Sequence, residues 1–198
     1  MTKKVLVLRG DSYKAVGSIF AALGFDVTFD DKNLGVADIV VFTGGSDVSP
    51  YIYGEEPDGA RGCDPKRDEY EKEIFDYCIS SESKNPAMIG ICRGGQLLNV
   101  LNGGKMIQHL GRTITGDALD DEGRVMRVDH HQGMLAGEGE LLSFYDPITN
   151  SKSPEEVPDY AIWYPDTKCL CFQPHPEWGH KGTEDYFFEL VEEYIVVG

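Results

Sequence analysis

The strongest chemical signal in the sequence is a cysteine with a glycine two positions away on each side, in Gly90-Ile91-Cys92-Arg93-Gly94. The segment follows an apolar run and precedes a helical pattern, so Cys92 would lie on a sharp turn from strand to helix. A nucleophile on such a turn needs small residues two positions away, because the strained backbone brings them close together. Gly90 and Gly94 satisfy this requirement. The pattern predicts either a nucleophilic cysteine or a buried structural cysteine packed between glycines.

A catalytic thiol needs a basic partner, and His175 is the strongest candidate among the five histidines. A free thiol is mostly protonated at neutral pH, and the start of a helix stabilises its thiolate by only about 0.3–1 kcal/mol. His175 stands between two prolines at the end of an apolar run, and Glu177 is close enough to orient its imidazole. The alternative is an ordinary surface pair of His and Glu. We predict that Cys92, His175 and Glu177 form a set of nucleophile, base and orienting carboxylate.

Amide hydrolysis also requires backbone N–H groups that bind the oxyanion of the tetrahedral intermediate. The amide of Arg93, next to the nucleophile, can supply one donor. The Gly44-Gly45 pair follows another apolar run and can supply the second, because glycine allows a close approach of the backbone. The alternative for this pair is a tight turn without a catalytic role.

Apolar runs and helical patterns set out the elements that must position these residues. Strands are predicted at about 5–8, 26–29, 37–43, 87–91, 124–128, 141–145, 160–164 and 169–173. Helices are predicted from Asp11 or Ser12 to Gly24, over about 65–83, from Cys92 to Gly103 and over about 183–196. Loops are predicted at 46–65 and 150–158. Short apolar runs that alternate with helices indicate an α/β fold with a parallel sheet.

Composition limits the class of protein and its partners. The chain has 198 residues and is expected to form one domain, 1–198. Its 18 basic and 34 acidic residues give a net charge of −16, which argues against binding nucleic acid or an anionic membrane. No apolar stretch reaches the roughly 18 residues that a membrane span requires. Five scattered cysteines do not form a disulfide framework, so we expect a cytoplasmic protein with free thiols.

Two adjacent histidines, His130 and His131, precede Gln132. Neighbouring residues on a strand face opposite ways, so only one of the two can enter a site. We favour His131, with a structural histidine as the alternative. A metal site that combines these histidines with Cys169 and Cys171 lacks the paired spacing of a zinc site, so no metal is predicted.

Taken together, the motifs resemble the class I glutamine amidotransferase-like family, and within it the γ-glutamyl-γ-aminobutyrate hydrolase branch of the γ-glutamyl hydrolases. The resemblance covers roughly residues 5–195. The motifs that carry it are 43–50, 53–55, Arg67-Asp68 with Glu71, 90–100, Gly103-Gly104, 130–132 and 175–177.

The resemblance implies a flavodoxin-like, three-layer α/β domain with a mostly parallel central sheet and a nucleophile elbow. It implies that Cys92, His175 and Glu177 are catalytic, and that the main-chain amides of Gly45 and Arg93 form the oxyanion hole. The residues assigned to substrate binding are Gly44, Gln96, His131 and Gln132. The implied reaction is hydrolysis of a γ-glutamyl amide through a thioester, without a cofactor.

One departure from the family bears on the substrate. Arg127-Val128-Asp129 stands where the family usually carries Val-Asn-Ser, and Asp129 adds an anion that favours a cationic or amine-bearing leaving group. The loops after Gly104 and around Asn150 look trimmed. Two alternatives stay open, a glutaminase subunit that passes ammonia to a separate synthetase and a non-catalytic acidic binding protein. A homodimer is also compatible with the sequence.

Overall fold

A computed structural model of the chain describes residues 2–148 and 156–197. Its α-helices are α1 (Tyr13–Ala22), α2 (Pro65–Ile79), α3 (Arg93–Leu101) and α4 (Lys181–Leu190). Its strands are β1 (Lys4–Val7), β2 (Asp26–Thr28), β3 (Ile39–Phe42), β4 (Ala87–Ile91), β5 (Lys105–Ile107), β6 (Ile114–Leu119), β7 (Val125–His130), β8 (Gly133–Leu135), β9 (Glu140–Phe144), β10 (Asp159–Tyr164) and β11 (Cys169–Phe172).

The main sheet has the order β2-β1-β3-β4-β11-β10-β8-β5, and β9 pairs with β10. The strands from β2 to β11 in this order run parallel, and the remaining pairings are antiparallel. The mostly parallel sheet predicted from the sequence is therefore confirmed. Because β3, β4 and β11 are parallel neighbours, the residues that follow them meet at one edge of the sheet.

Helices cover both faces of the sheet, which gives three layers. Val5, Ile39 and Ile89 point to one face, where α1 and α4 contribute Phe20 and Phe187. The residues next to them in the strands point to the other face, against α2 and α3. The central strands are hydrophobic on both sides for this reason, and they read as continuous apolar runs in the sequence.

The structure differs from the sequence prediction mainly beyond α3. Strands β5, β6 and β8 are absent from that prediction, because two of them have only three residues and β6 contains Gly116 with a φ of 93°. Helix α2 ends at Ile79, earlier than expected. After α4, wider π-type turns continue over Val191–Val197 and keep Val191 and Ile195 buried. Residues 150–155 of the predicted 150–158 loop lie outside the described residues, and the extent of the domain, 1–198, stays a prediction.

Strands β6 and β7 form a separate antiparallel ribbon. The ribbon is joined to the sheet edge by a hydrogen bond from the backbone N–H of His175 to the carbonyl of Arg127, at 2.8 Å. It therefore brings His130 and the residues after it to the edge where β3, β4 and β11 end.

Within residues 2–148 and 156–197, no helix has the length and apolar character needed to cross a membrane.

Candidate active site

Cys92 lies on a strained turn between β4 and α3, with φ 51° and ψ −113°. A Cβ atom on Gly90 would overlap the carbonyl of Gly94, and one on Gly94 would overlap the carbonyl of Phe42. A 2.7 Å hydrogen bond from the Cys92 N–H to the carbonyl of Phe172, in the neighbouring strand β11, attaches the turn to the sheet. The glycines predicted from the motif are therefore required by the backbone, and the strain is carried by the one cysteine.

His175 follows β11, the strand next to β4. Its Nδ1 donates to Oε1 of Glu177 at 2.8 Å, which fixes the orientation of the ring. One face of the His175 imidazole stacks on the indole of Trp178, with the ring centroids 3.9 Å apart and an angle of 4° between the ring planes. Both His175 and Glu177 are buried. The predicted pairing of His175 with Glu177 is thus present in the structure.

The surroundings of His175 raise its pKa to about 10. Burial lowers the pKa, but the neighbouring Cys92 sulfur and the Glu177 carboxylate together outweigh burial and favour the imidazolium. An imidazolium next to a thiol stabilises the thiolate, which is the reactive form. His175 thus lies where a catalytic thiol needs a basic partner.

Gly44 follows β3 and lies beside both groups. A Cβ on Gly44 would be 3.6 Å from Cε1 of His175 and 4.0 Å from Cβ of Cys92. The sheet edge thus brings Gly44 next to Cys92, as the order of the strands requires. Asp129 is also close, because its backbone carbonyl lies 4.0 Å from Sγ of Cys92.

A chain of glutamine amides leads to the sulfur. Gln96 donates to Oε1 of Gln173 at 3.0 Å, and Nε2 of Gln173 donates to Sγ of Cys92 at 3.6 Å. Gln96 also contacts the carbonyl of Gln132 at 3.4 Å. The side-chain amide of Gln132 is buried and has no hydrogen-bond partner among the described residues. No pattern in the sequence singles out Gln173, because only its contact in the folded chain marks it.

His130 and His131 point to different surroundings, as their neighbouring positions predict. His130 is buried, and its Nδ1 donates to the carbonyl of Gln132 at 2.7 Å. Burial, with a smaller contribution from His175, lowers the pKa of His130 to about 4. His131 lies 2.9 Å from Asp47, two residues after Gly45, and 3.1 Å from His109.

A family comparison adds to this geometry. The profile of the Peptidase C26 family matches residues 16–150, more than half of the chain. The chain belongs to the Peptidase C26 family. The class I glutamine amidotransferase-like identity expected from the motifs is thereby confirmed, and Peptidase C26 accommodates the γ-glutamyl hydrolase branch.

Curated relatives of this Peptidase C26 chain carry matching names. The glutamine amidotransferase-like protein YvdE of Lactococcus lactis subsp. lactis is 42% identical over 105 residues, which are 52% of the chain and 43% of YvdE. Rv2859c of Mycobacterium tuberculosis, which carries a glutamine amidotransferase name, is 42% identical over 163 residues, 70% of the chain and 50% of the relative. The chain thus spans about half the length of these relatives.

Solved structures agree on the fold of this Peptidase C26 chain. A Thermoplasma acidophilum protein described as a component of GMP synthase superposes with a TM-score of 0.63 at 14% identity, over 98% of the chain and 96% of that structure. At this identity the likeness concerns the fold alone. The three-layer arrangement of the chain matches the fold of that protein.

Proposed function

We propose that the chain hydrolyses a γ-glutamyl amide, either a γ-glutamyl amine or glutamine, through a thioester on Cys92. The observation that carries the proposal is the meeting of the strained Cys92 turn with the His175–Glu177 pair at the ends of adjacent strands. A buried structural cysteine does not require a left-handed backbone or an imidazole held at its side. Peptidase C26 membership supports amide hydrolysis as the class of reaction.

In the proposed reaction, the Cys92 thiolate attacks the γ-carbonyl carbon and forms a tetrahedral oxyanion. When the oxyanion collapses, the C–N bond breaks and His175 gives its proton to the departing amine or ammonia. His175 then takes a proton from water, whose oxygen attacks the thioester. Glutamate leaves as the C–S bond breaks, and the thiolate–imidazolium pair is restored.

Backbone and side-chain groups around the sulfur would hold the substrate. The amides of Gly45 and Arg93 are proposed to bind the oxyanion. The proposed substrate contacts are Gly44, Gln96, His131 and Gln132. The buried, unpartnered amide of Gln132 supports its assignment, because such a group gains most when a ligand supplies its hydrogen bonds.

Glutamate release by the wild type and by Cys92→Ala tests the proposal, with glutamine and a panel of neutral and cationic γ-glutamyl amines as substrates. We expect release by the wild type and none by Cys92→Ala, while Cys63→Ala, which removes a thiol away from the elbow, remains active. Net charge and Asp129 favour the cationic amines. Equal release by wild type and Cys92→Ala would refute the mechanism.

A second candidate shares the chemistry but passes ammonia to a separate synthetase. The glutamine amidotransferase names of the relatives favour it. Glutaminase activity that appears only with a partner present would select it.

Labelling of Cys92 by a glutamine-like electrophile separates both enzymes from a non-catalytic acidic binding protein, which would give no adduct. A cytoplasmic location and a homodimer remain part of the proposal.

A further inference from the structure

Helix α2 presents an arginine to the loop that follows β3. Nη1 of Arg67 donates to the carbonyl of Gly44 and Nη2 to the carbonyl of Thr43, each at 2.9 Å. The Gly44 carbonyl also accepts from the backbone N–H of Asp11 at 3.0 Å. Two consecutive carbonyls are thus held by one planar guanidinium.

One turn of the same helix holds the side chain of Arg93. Arg93 donates through Nη1 to Glu71 and through Nη2 to Asp68. Glu71 is shared, since its other oxygen accepts from Nε of Arg67 at 2.8 Å. The second oxygen of Asp68 accepts from the backbone N–H of Ser49 at 3.0 Å, in the loop after Gly45.

These four side chains form a closed, charge-balanced cluster, which we call the α2 clamp: Arg67, Asp68, Glu71 and Arg93. Two positive and two negative charges are present, and the exposed fractions of the Arg93, Asp68 and Glu71 side chains are 2%, 0% and 1%. Arg67 is 15% exposed. A helix on the protein surface does not need a buried network of ion pairs to stay soluble. We therefore look for a role of this cluster in the site next to it.

We infer that the α2 clamp is a positioning device that aims the backbone N–H groups of Gly45 and Arg93 at one point, an inference that rests on the proposed function of these amides. A trans peptide is planar, so the N–H of Gly45 points away from the carbonyl of Gly44. Arg67 fixes that carbonyl, and therefore fixes the direction of the N–H on the opposite side. Glu71 then ties Arg67 to Arg93, whose own N–H lies at the free start of α3.

A lysine at position 67 could not do the same work, although it would keep the charge. Arginine offers a fork of donors, whereas an ammonium is a point charge without fixed geometry. The neighbouring backbone is shaped to admit the guanidinium, since a Cβ on Gly10 or Gly45 would overlap Arg67. Gly10→Ala thus displaces the guanidinium without removing any charge, and it also displaces the Thr43 hydroxyl, which the new Cβ would overlap.

The test compares Arg67→Lys and Gly10→Ala with two matched controls. Arg124→Lys alters an arginine–aspartate pair on the ribbon, and Gly35→Ala adds a methyl group whose nearest neighbour is 3.5 Å away. Backbone ¹⁵N relaxation measures the order parameter of the Gly45 amide without any substrate. We expect it to fall from about 0.85 to below about 0.6 in both clamp variants and to stay unchanged in both controls.

Kinetics add a readout that a purely structural defect would not give. With the best γ-glutamyl amide, kcat should fall about 10²-fold in the clamp variants while KM is retained, because the lost interaction exists only in the transition state. Alkylation of Cys92 by iodoacetamide, followed by mass spectrometry of its peptide, should keep the wild-type rate, since this substitution forms no oxyanion.

An unchanged Gly45 order parameter in both clamp variants would overturn the inference, as would loss of iodoacetamide alkylation in parallel with kcat. If Arg67→Lys fails to fold, Gly10→Ala decides the question, with Thr43→Ala as the control for the displaced Thr43 hydroxyl. A wild type that hydrolyses no γ-glutamyl amide would refute the proposed function, whereas the Gly45 order parameter would still decide whether the clamp positions this amide.

Discussion

The imidazole of His175 lies flat on the indole of Trp178, with ring centroids 3.9 Å apart. Trp178 is 44% exposed, so one face of the indole covers the histidine and the other faces outward. Glu177 holds the edge of the same imidazole. The ring is therefore restrained both in its plane and across its face, which fixes Nε2 relative to the sulfur of Cys92.

Replacing Trp178 by alanine should lower kcat about 2- to 10-fold, because a stacked aromatic pair contributes about 0.5–1.5 kcal/mol to the preferred ring position. The reaction to measure is glutamate release under saturating substrate. Trp163→Ala is the matched control, since Trp163 packs on Tyr194 instead. Equal rates for the wild type and Trp178→Ala would show that Glu177 alone orients the ring.

Replacing Glu177 by glutamine should lower kcat/KM about 10²- to 10⁴-fold, because the imidazolium loses the carboxylate that orients and stabilises it. The change also predicts a direction in pH. Glu177 is one of the groups that raise the pKa of His175 to about 10, so the pKa should fall in the variant.

The alkaline limb of the pH–rate profile should then move to lower pH, since the protonated imidazole is lost earlier as the pH rises. Glu192→Gln serves as the control for the loss of one acidic charge, because Glu192 is exposed and lies near Lys3, which precedes β1. An alkaline limb that stays in place in Glu177→Gln would contradict the assigned role.

Replacing Cys92 by glycine should give a more stable protein than replacing it by alanine, and both changes should abolish activity. The left-handed backbone at this position costs a side chain about 1–3 kcal/mol, and glycine removes that cost but loses up to about 1 kcal/mol in the unfolded chain. We expect the free energy of unfolding to be about 1 kcal/mol higher in Cys92→Gly than in Cys92→Ala. Urea unfolding of the two variants measures the difference, and equal values would mean that the strain does not exceed the roughly 1 kcal/mol that glycine loses in the unfolded chain.

Where strands are buried on both faces, the sequence is sufficient to predict them. The strands β1, β3, β4 and β11 are continuous apolar runs closed by glycine or proline, so their positions and their parallel packing follow from composition. The strands β5 and β8 have only three residues each, and no period can be read from so few. They exist because neighbouring strands supply their hydrogen bonds.

The same distinction applies to the candidate site. Cys92 and His175 carry local signals. Cys92 has a glycine two positions away on each side, and His175 has a proline directly on each side. Gln173 and Trp178 carry none, because their roles depend on contacts that only the folded chain creates. Glu71 and Arg93 are 22 residues apart, and their sequence spacing gives no indication that they share a buried cluster.

Burial of a neutral His130 predicts a loss of stability in acid. Its pKa is about 4 in the folded protein, below the ordinary value near 6.5, because burial disfavours the charged form and His175 adds repulsion. The folded state therefore binds fewer protons than the unfolded chain below pH 6.5. The stabilisation is fully present above pH 6.5 and is lost as the pH falls toward 4.

The expected loss at pH 5, compared with pH 7.5, is about 2 kcal/mol from this residue. Other groups titrate in the same range, so the comparison is between the pH slopes of the wild type and His130→Gln. Urea unfolding at several pH values should give a shallower slope in the variant, whatever its stability at pH 7.5. Identical slopes for wild type and His130→Gln would mean that His130 is protonated equally in the folded and unfolded states, which its burial argues against.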